Sequence, residues 1–135
     1  MPIEIEEAKE KFIASLTLNK AEITELEQNT RGQFSNPLWK AERSNRLTAS
    51  NFGIICRKRP STTSKNIIKN IIHSAFKGSA ATKWGQDNEM KAKLKFEEVY
   101  MNKIEDCGFF VHEQYGFLGA TLDDTIDEDT VVEIK

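Results

Sequence analysis

The protein has 135 residues, of which 39% are hydrophobic and 30% are charged, and its net charge is −2; this length and composition are typical of one soluble globular domain. No apolar run approaches the roughly 18 residues of a membrane span, and the acidic start MPIEIEEAKEKF argues against a signal peptide, so we expect an intracellular protein without membrane contact. Cys56 and Cys107 lie outside any CxxC or Cys/His spacing, which argues against a zinc site and favours two buried free thiols.

The N-terminal segment is predicted to be helical. Residues Ile5 to Gln28 place apolar side chains at helical spacing. The interruption TLNKAE divides this stretch in two, with Asn19 as the N-cap of the second piece. The segment NTRGQFSNP that follows is predicted to be a loop. We therefore expect residues 1–37 to form an N-terminal helical extension.

The middle segment predicts three more helices. The first covers Leu38 to Arg46, and the second covers LTASNFGIICRK with Thr48 or Ser50 as its N-cap. After the loop RPSTTS, Ser64 is placed to cap KNIIKNIIHSAF, whose isoleucines form an apolar stripe at helical spacing.

Basic residues are concentrated in the same segment. Between Lys40 and Lys77 nine basic residues stand against Glu42 alone, so this segment carries +8 and the rest of the chain −10. The nine are Lys40, Arg43, Arg46, Arg57, Lys58, Arg59, Lys65, Lys69 and Lys77. The distribution favours one face that meets a polyanion, while the alternative is that these charges solubilise helices. The triplet at 57–59 would equally serve as a nuclear-import patch, which would place the protein in the nucleus of a eukaryotic cell.

The remaining chain predicts one long helix followed by strands. The helix covers roughly Ala81 to Tyr100. Its buried side is expected to include Ala92, Leu94, Phe96 and Val99. CGFFVHE, FLGAT and TVVEIK are short, β-rich and separated by turns, as expected for strands. We expect both tryptophans, Trp39 and Trp84, in the core.

The last segment has the pattern of an acidic hairpin. If residues 127–129 form its turn, antiparallel pairing sets Asp124 opposite Val132 and Asp123 opposite Glu133. Opposed residues share a face of the sheet, with Cβ atoms about 4.5–5.5 Å apart. Two carboxylates that close repel each other unless a cation lies between them.

A divalent cation bound between the two carboxylates would compensate this repulsion. Lys135 projects from the face of Glu133 because strands have a period of two, and the backbone carbonyl of Ile134 lies beside them. Mg²⁺ takes one or two carboxylates and keeps several waters, and here it would activate water against a phosphodiester. The alternative is a solvated acidic hairpin. An EF-hand does not fit, since starting from Asp123 or Asp124 gives neither the glycine nor the final glutamate of that loop.

Four segments resemble, in the same order, the motifs of one family. LWKAERSNRLTASNFG is similar to the N-terminal motif of the YqaJ-type viral recombinases, which include the lambda-type alkaline exonucleases of the PD-(D/E)XK nuclease superfamily. ATKWGQDNEMKAKLKF is similar to the next motif, CGFFVHEQYGFLGATLDD is similar to the strand leading into LGASPDG, and the hairpin ends in Glu-x-Lys. The resemblance covers roughly Leu38 to Lys135.

The resemblance implies an α+β, restriction-endonuclease-like fold, with N-terminal helices followed by the first strands of a mixed central sheet. Residues 38–135 would be the N-terminal part of the nuclease domain. The implied catalytic residues are Glu89 on the long helix, Asp123, Glu133 and Lys135. The implied metal ligands are Asp123, Glu133 and the backbone carbonyl of Ile134. The implied DNA-phosphate ligands are Arg43, Thr48 and Ser50, and an arginine with hydroxyls and amides at a helix N-terminus does form an anion site.

Two departures separate this chain from the family pattern. TLDD stands where the family has SPDG, so the proline before the aspartate and the glycine after it are both missing. The further strands and the Gln-x-x-x-Tyr helix that follow Glu-x-Lys in the family are not in this sequence. We therefore expect a nuclease domain that is incomplete at its C-terminus.

The function implied is a Mg²⁺-dependent DNA nuclease, with Mn²⁺ as a substitute, that acts as a 5′–3′ double-strand exonuclease in recombination and repair. Its partners would be double-stranded DNA ends, further copies of itself in a homo-oligomer, and a single-strand annealing protein. One alternative is a catalytically inactive DNA-binding remnant or partial gene product. Another is a small helical interaction module with an acidic tail.

Overall fold

The computed structural model describes residues 2–73 and 80–135, with only the backbone of His73 and Thr82. The helices in these ranges are α1 (Ile3–Leu16), α2 (Lys20–Asn29), α3 (Pro37–Ser44), α4 (Ala49–Cys56), α5 (Lys65–His73) and α6 (Ala80–Tyr100), with a 3-10 turn at Gln33–Ser35. The strands are β1 (Leu47–Thr48), β2 (Glu105–Asp106), β3 (Phe109–Val111), β4 (Leu118–Thr121), β5 (Asp124–Thr125) and β6 (Val131–Val132). The predicted α+β class is confirmed. Lys77 and residues 74–76 of the predicted fifth helix lie outside the described ranges.

Two helices begin at the capping residues that the sequence predicts. Asn19 forms a capping box with Glu22: its side chain accepts a hydrogen bond from the Glu22 N–H at 2.8 Å, and the Glu22 carboxylate accepts one from the Asn19 N–H at 3.2 Å. Thr48 is the N-cap of α4. The capping box at Asn19 satisfies N–H groups that have no partner inside the helix, whereas the Thr48 side chain makes no capping hydrogen bond.

The strands form two small sheets. In the first, β4 lies between β1, which is parallel to it, and β3, which is antiparallel. In the second, β5 lies between β2 and β6, and both pairings are antiparallel. The two sheets are joined by one long hairpin. Its first arm contains β2 and β3, and its second arm contains their partners β5 and β4.

The core lies between α2, α3 and the first sheet. It contains Trp39, Phe109 and Val111, which are 4%, 0% and 5% exposed. Leu18, from the link between α1 and α2, and Ile23 and Leu26, from α2, pack against it. The predicted extension is therefore in direct contact with the predicted nuclease segment.

Arg46 belongs to the basic segment but is buried within the fold. Its Nε donates to the carbonyl of Gly116 at 2.8 Å and its Nη2 to the carbonyl of Leu16 at 3.1 Å. Its Nη1 forms an ion pair with Glu42. The guanidinium therefore ties α1 and α3 to the loop before β4, and it is not available to a polyanion.

Some predictions about burial were wrong. Trp39 is in the core as expected, but Trp84 is 68% exposed, and Leu94 and Val99 on the same helix are 60% and 57% exposed. The described elements leave this side of α6 open to solvent. Cys107 is buried, whereas Cys56 is exposed. Within residues 2–73 and 80–135, no helix combines the length and the apolar character needed to cross a bilayer.

Candidate functional site

The C-terminal hairpin has the register that the sequence predicts. Asp124 pairs with Val132 and Thr125 with Val131. The turn is closed by a 3.0 Å hydrogen bond from the Ile126 N–H to the Thr130 carbonyl. The same register places Asp123 opposite Glu133, just beyond the last paired residues.

Asp123 and Glu133 occupy the end of this hairpin. The backbone N–H of Ile134 donates to Asp123 Oδ2 at 3.0 Å, which holds this carboxylate against the segment that follows β6. Lys135 Nζ lies 3.8 Å from Glu133 Oε2, and both side chains are largely exposed. In the part of the chain that the structure describes, no group of three or more His, Cys, Asp or Glu side chains is arranged to hold a metal ion.

Glu89 lies in a different cluster, around the ammonium group of Lys93. Lys93 Nζ is 2.9 Å from Asp124 Oδ1, 3.3 Å from Glu89 Oε1 and 3.7 Å from Asp106 Oδ1. Glu89 therefore lies with Asp124 around Lys93, whereas the Asp123 carboxylate is bonded to the backbone next to Glu133.

Asp124 is the most deeply buried carboxylate of this cluster. Its side chain is fully buried, and neither oxygen has a hydrogen bond of good geometry among the described residues, so the ion pair with Lys93 is its principal compensation. Burial raises the pKa of Asp124 to about 6, against the opposing effect of Lys93. Asp124 occupies the place of the glycine in the family motif, so the sequence has an additional charge at this position.

The three predicted phosphate ligands lie together at the start of α4. Arg43 Nη2 donates to Ser50 Oγ at 2.9 Å, and the hydroxyls of Ser50 and Thr48 are 3.0 Å apart. The guanidinium carbon of Arg43 lies 5.0 Å from the ring centre of Trp39, a cation–π distance. The Asn51 side chain donates to Thr48 Oγ1 at 3.2 Å. These contacts hold a cation and two hydroxyls at the positive end of a helix, which suits an anion.

One cavity joins the phosphate ligands to Asp123. It has a volume of about 250 Å³. Its lining residues are Gln33, Phe34, Trp39, Arg43, Thr48, Ala49, Ser50, Thr121 and Asp123. Trp39 Nε1 donates to Thr121 Oγ1 at 3.1 Å and so fixes α3 to the strand that leads into Asp123. Glu89, Glu133 and Lys135 do not line this cavity.

The chain also contains site residues that the sequence did not indicate. Gln33 lines the cavity from the N-terminal extension, and Lys93 organises the second acidic cluster. Gln33 has no sequence signal, because it lies in a loop far from its partners. For Lys93 the four-residue spacing from Glu89 on one helix was an available signal.

Comparison with known proteins identifies a family. The model of the YqaJ-like viral recombinase domain matches residues 38–135 of the chain. No curated protein and no solved structure matches it.

Proposed function

Since the chain belongs to the family of YqaJ-like viral recombinase domains, a family of recombinase-type nucleases, we propose that it hydrolyses phosphodiester bonds of duplex DNA with a bound Mg²⁺ ion. The observation that carries this proposal is the cavity that places Arg43, Thr48 and Ser50 beside Asp123. A nuclease that acts at a DNA end needs an anchor for a phosphate next to a carboxylate that can hold a metal. The residues that we assign to these two roles line one surface.

The donor set at the hairpin end fits Mg²⁺. Asp123, Glu133 and the carbonyl of Ile134 would hold the ion, with water in the remaining positions and Mn²⁺ as a substitute. When bound, such an ion lowers the pKa of water and neutralises negative charge on phosphate. The bond from the Ile134 N–H keeps the Asp123 carboxylate beside the backbone that follows Glu133. Lys135, next to Glu133, would steady the charge that develops on the phosphate.

The phosphate ligands give the reaction its polarity in this proposal. A 5′-terminal phosphate would be bound by the Arg43 guanidinium and the hydroxyls of Thr48 and Ser50, at the N-terminus of α4. The next phosphodiester would then lie toward Asp123. This arrangement describes a 5′–3′ exonuclease acting on duplex ends. Assembly as a homo-oligomer and cooperation with a single-strand annealing protein belong to the same proposal, on the strength of family membership.

A second candidate is a DNA-binding protein without turnover. It is favoured by the position of Glu89, which pairs with Lys93 instead of joining Asp123 and Glu133. A site with two carboxylates and no helix glutamate would bind metal more weakly. DNA binding through Arg43 would persist in that case.

The test is digestion of linear, 5′-phosphorylated duplex DNA in the presence of Mg²⁺. The wild-type protein is compared with Glu133→Gln, which removes a proposed ligand, and with Glu128→Gln, which neutralises an exposed acid in the turn of the same hairpin. We expect release of nucleotides by the wild type and by Glu128→Gln, and none by Glu133→Gln. If all three bind duplex DNA with a steep salt dependence and none digests it, the second candidate is correct.

A further inference from the structure

One arm of the long hairpin contains β2 and β3, and the other contains β4 and β5. The ladder of hydrogen bonds between these arms is interrupted beside Asp123. On one side of the interruption Asp106 pairs with Asp124, and on the other side Phe109 pairs with Thr121. Both pairs belong to the same antiparallel register, so residues 107–108 face residues 122–123 without forming ladder pairs. The interruption therefore coincides with the proposed metal ligand.

The side chain of Gln33 bridges this interruption. Its Nε2 donates to the carbonyl of Cys107 at 3.3 Å and to the carbonyl of Leu122 at 3.1 Å, one acceptor on each strand. A primary amide has two N–H groups, so a single side chain satisfies both carbonyls. A residue from the turn after α2 thus binds one carbonyl on each side of the gap.

The local backbone holds Gln33 in the conformation that this bridge requires. Gly32 and Gln33 both have positive φ angles, +92° and +44°. Positive φ is uncommon for a residue other than glycine and persists only where surrounding contacts impose it. Asn36 supplies such contacts, because its Nδ2 donates to the carbonyls of Asn29 at 2.7 Å and of Arg31 at 2.9 Å.

We propose that Gln33 is a positioning residue for Asp123. The Leu122 carbonyl that it binds belongs to the peptide group that also contains the backbone nitrogen of Asp123. Fixing this peptide plane fixes the direction in which the aspartate side chain leaves the backbone. The carboxylate is held separately by the Ile134 N–H, so Gln33 and the backbone that follows β6 each constrain Asp123.

The inference rests on the proposed function, because it concerns the geometry of a proposed metal ligand. It also extends the site beyond the segment that matches the family. Gln33 lies before residue 38, where the family match begins. It also lines the same cavity as Arg43, Ser50 and Asp123. The N-terminal extension thereby contributes a side chain to the site itself.

The test compares Gln33→Met, which keeps the length of the side chain and removes both donors, with Gln28→Met on the exposed surface of α2 as a matched control. Loss of an outer-shell partner weakens metal affinity about 10- to 100-fold. We expect the Mg²⁺ concentration for half-maximal digestion to rise by about tenfold or more in Gln33→Met, with a much smaller change in KM for DNA. Gln28→Met should match the wild type in both.

A second measurement needs neither metal nor activity. In metal-free protein, NMR hydrogen exchange of the Ile134 N–H, which donates to Asp123, should become several-fold faster in Gln33→Met. Exchange of the His112 N–H should stay unchanged. This group donates to the Leu118 carbonyl at the far end of the long hairpin. Unchanged Ile134 exchange, or equal acceleration at both amides, would overturn the positioning role. Selective acceleration in a protein that digests no DNA would support it and reject the proposed nuclease function.

Discussion

Arg43 is the residue on which recognition of a DNA end depends in the proposed mechanism. Its guanidinium is already oriented by Ser50 and by the ring of Trp39, so little side-chain entropy is lost when a phosphate binds. A hydrogen bond to a charged group contributes about 1.5–3 kcal/mol. We therefore predict that Arg43→Met binds 5′-phosphorylated duplex about 10- to 100-fold more weakly than the wild type.

The prediction is specific to the terminal phosphate. Fluorescence anisotropy with EDTA present measures binding of duplexes with a 5′-phosphate or a 5′-hydroxyl, and only the former should be weakened. Arg59→Met, which removes a cation from the exposed loop after α4, serves as the control and should weaken both duplexes equally. Equal weakening of both duplexes by Arg43→Met would show that this arginine contacts DNA elsewhere.

Lys93 compensates the buried carboxylate of Asp124, and its removal is predicted to be costly. Breaking a buried ion pair by removing one partner costs about 3–5 kcal/mol, because a charge is left in the interior without compensation. Lys93→Met should lower the free energy of unfolding by about 3 kcal/mol at pH 7, measured by urea denaturation with EDTA. The double variant Lys93→Met/Asp124→Asn should regain most of this loss. A double variant no more stable than the single one would mean that Lys93 acts through Glu89 or Asp106.

The pKa of Asp124 also predicts how stability varies with pH. Burial raises it to about 6 from an ordinary value of 3.8, so the folded state holds this proton over a range in which the unfolded chain has released it. The contribution of this proton to the free energy of unfolding is fully present below about pH 4 and is lost as the pH rises through 6. Asp124→Asn should remove that part of the slope in metal-free urea denaturation. A slope that is identical in wild type and variant would assign it to other groups.

Among the secondary-structure elements, α2 and β3 are in unusually close contact. A Cβ on Gly108 would lie 1.9 Å from the carbonyl oxygen of Glu27 and 2.4 Å from Thr30 Oγ1. The same Thr30 Oγ1 accepts a hydrogen bond from the Phe109 N–H at 2.7 Å. Gly108→Ala must therefore push the end of α2 away from the strand. We predict a loss of about 1–3 kcal/mol or more in the free energy of unfolding.

Gly85 provides the matched control for this substitution. It lies within α6, and a Cβ there would meet no atom of the described residues within 4 Å. Gly85→Ala should therefore stabilise the protein by up to about 1 kcal/mol through helix propensity. Urea denaturation of both variants tests the pair, and a Gly108→Ala variant as stable as the wild type would show that α2 can move at no cost.

The same elements show what the sequence could predict and what it could not. The cap at Asn19 and the register of the last hairpin depend on neighbouring residues, and both are confirmed. The apolar positions of α6 indicated a buried side, but periodicity does not reveal which element, if any, covers it. Gln33 was missed because its two partners lie 74 and 89 residues away, and no local pattern encodes such contacts.

For the whole molecule, the division at residue 37 that the sequence predicts does not separate two independent cores. Leu18, Ile23 and Leu26 pack against Trp39, Phe109 and Val111 in one cluster. The buried guanidinium of Arg46 needs the carbonyl of Leu16 as well as that of Gly116. Removing the extension would expose this cluster to solvent and would take the Leu16 carbonyl away from the buried guanidinium. We expect the free energy of unfolding to fall by more than one or two ordinary substitutions lower it.

We therefore predict that a chain of residues 38–135 does not fold alone. A shorter deletion is the control: residues 2–15 are exposed along α1, so a chain that starts at residue 15 keeps Leu16, α2 and Gln33 and should remain folded. Near-ultraviolet circular dichroism and thermal denaturation distinguish the two, since Trp39 reports on the shared core. The longer deletion should show no cooperative transition. If it unfolds cooperatively with a native-like signal, α2 lies on the nuclease segment without being needed for its core, and Gln33 would then be the main contribution of the extension.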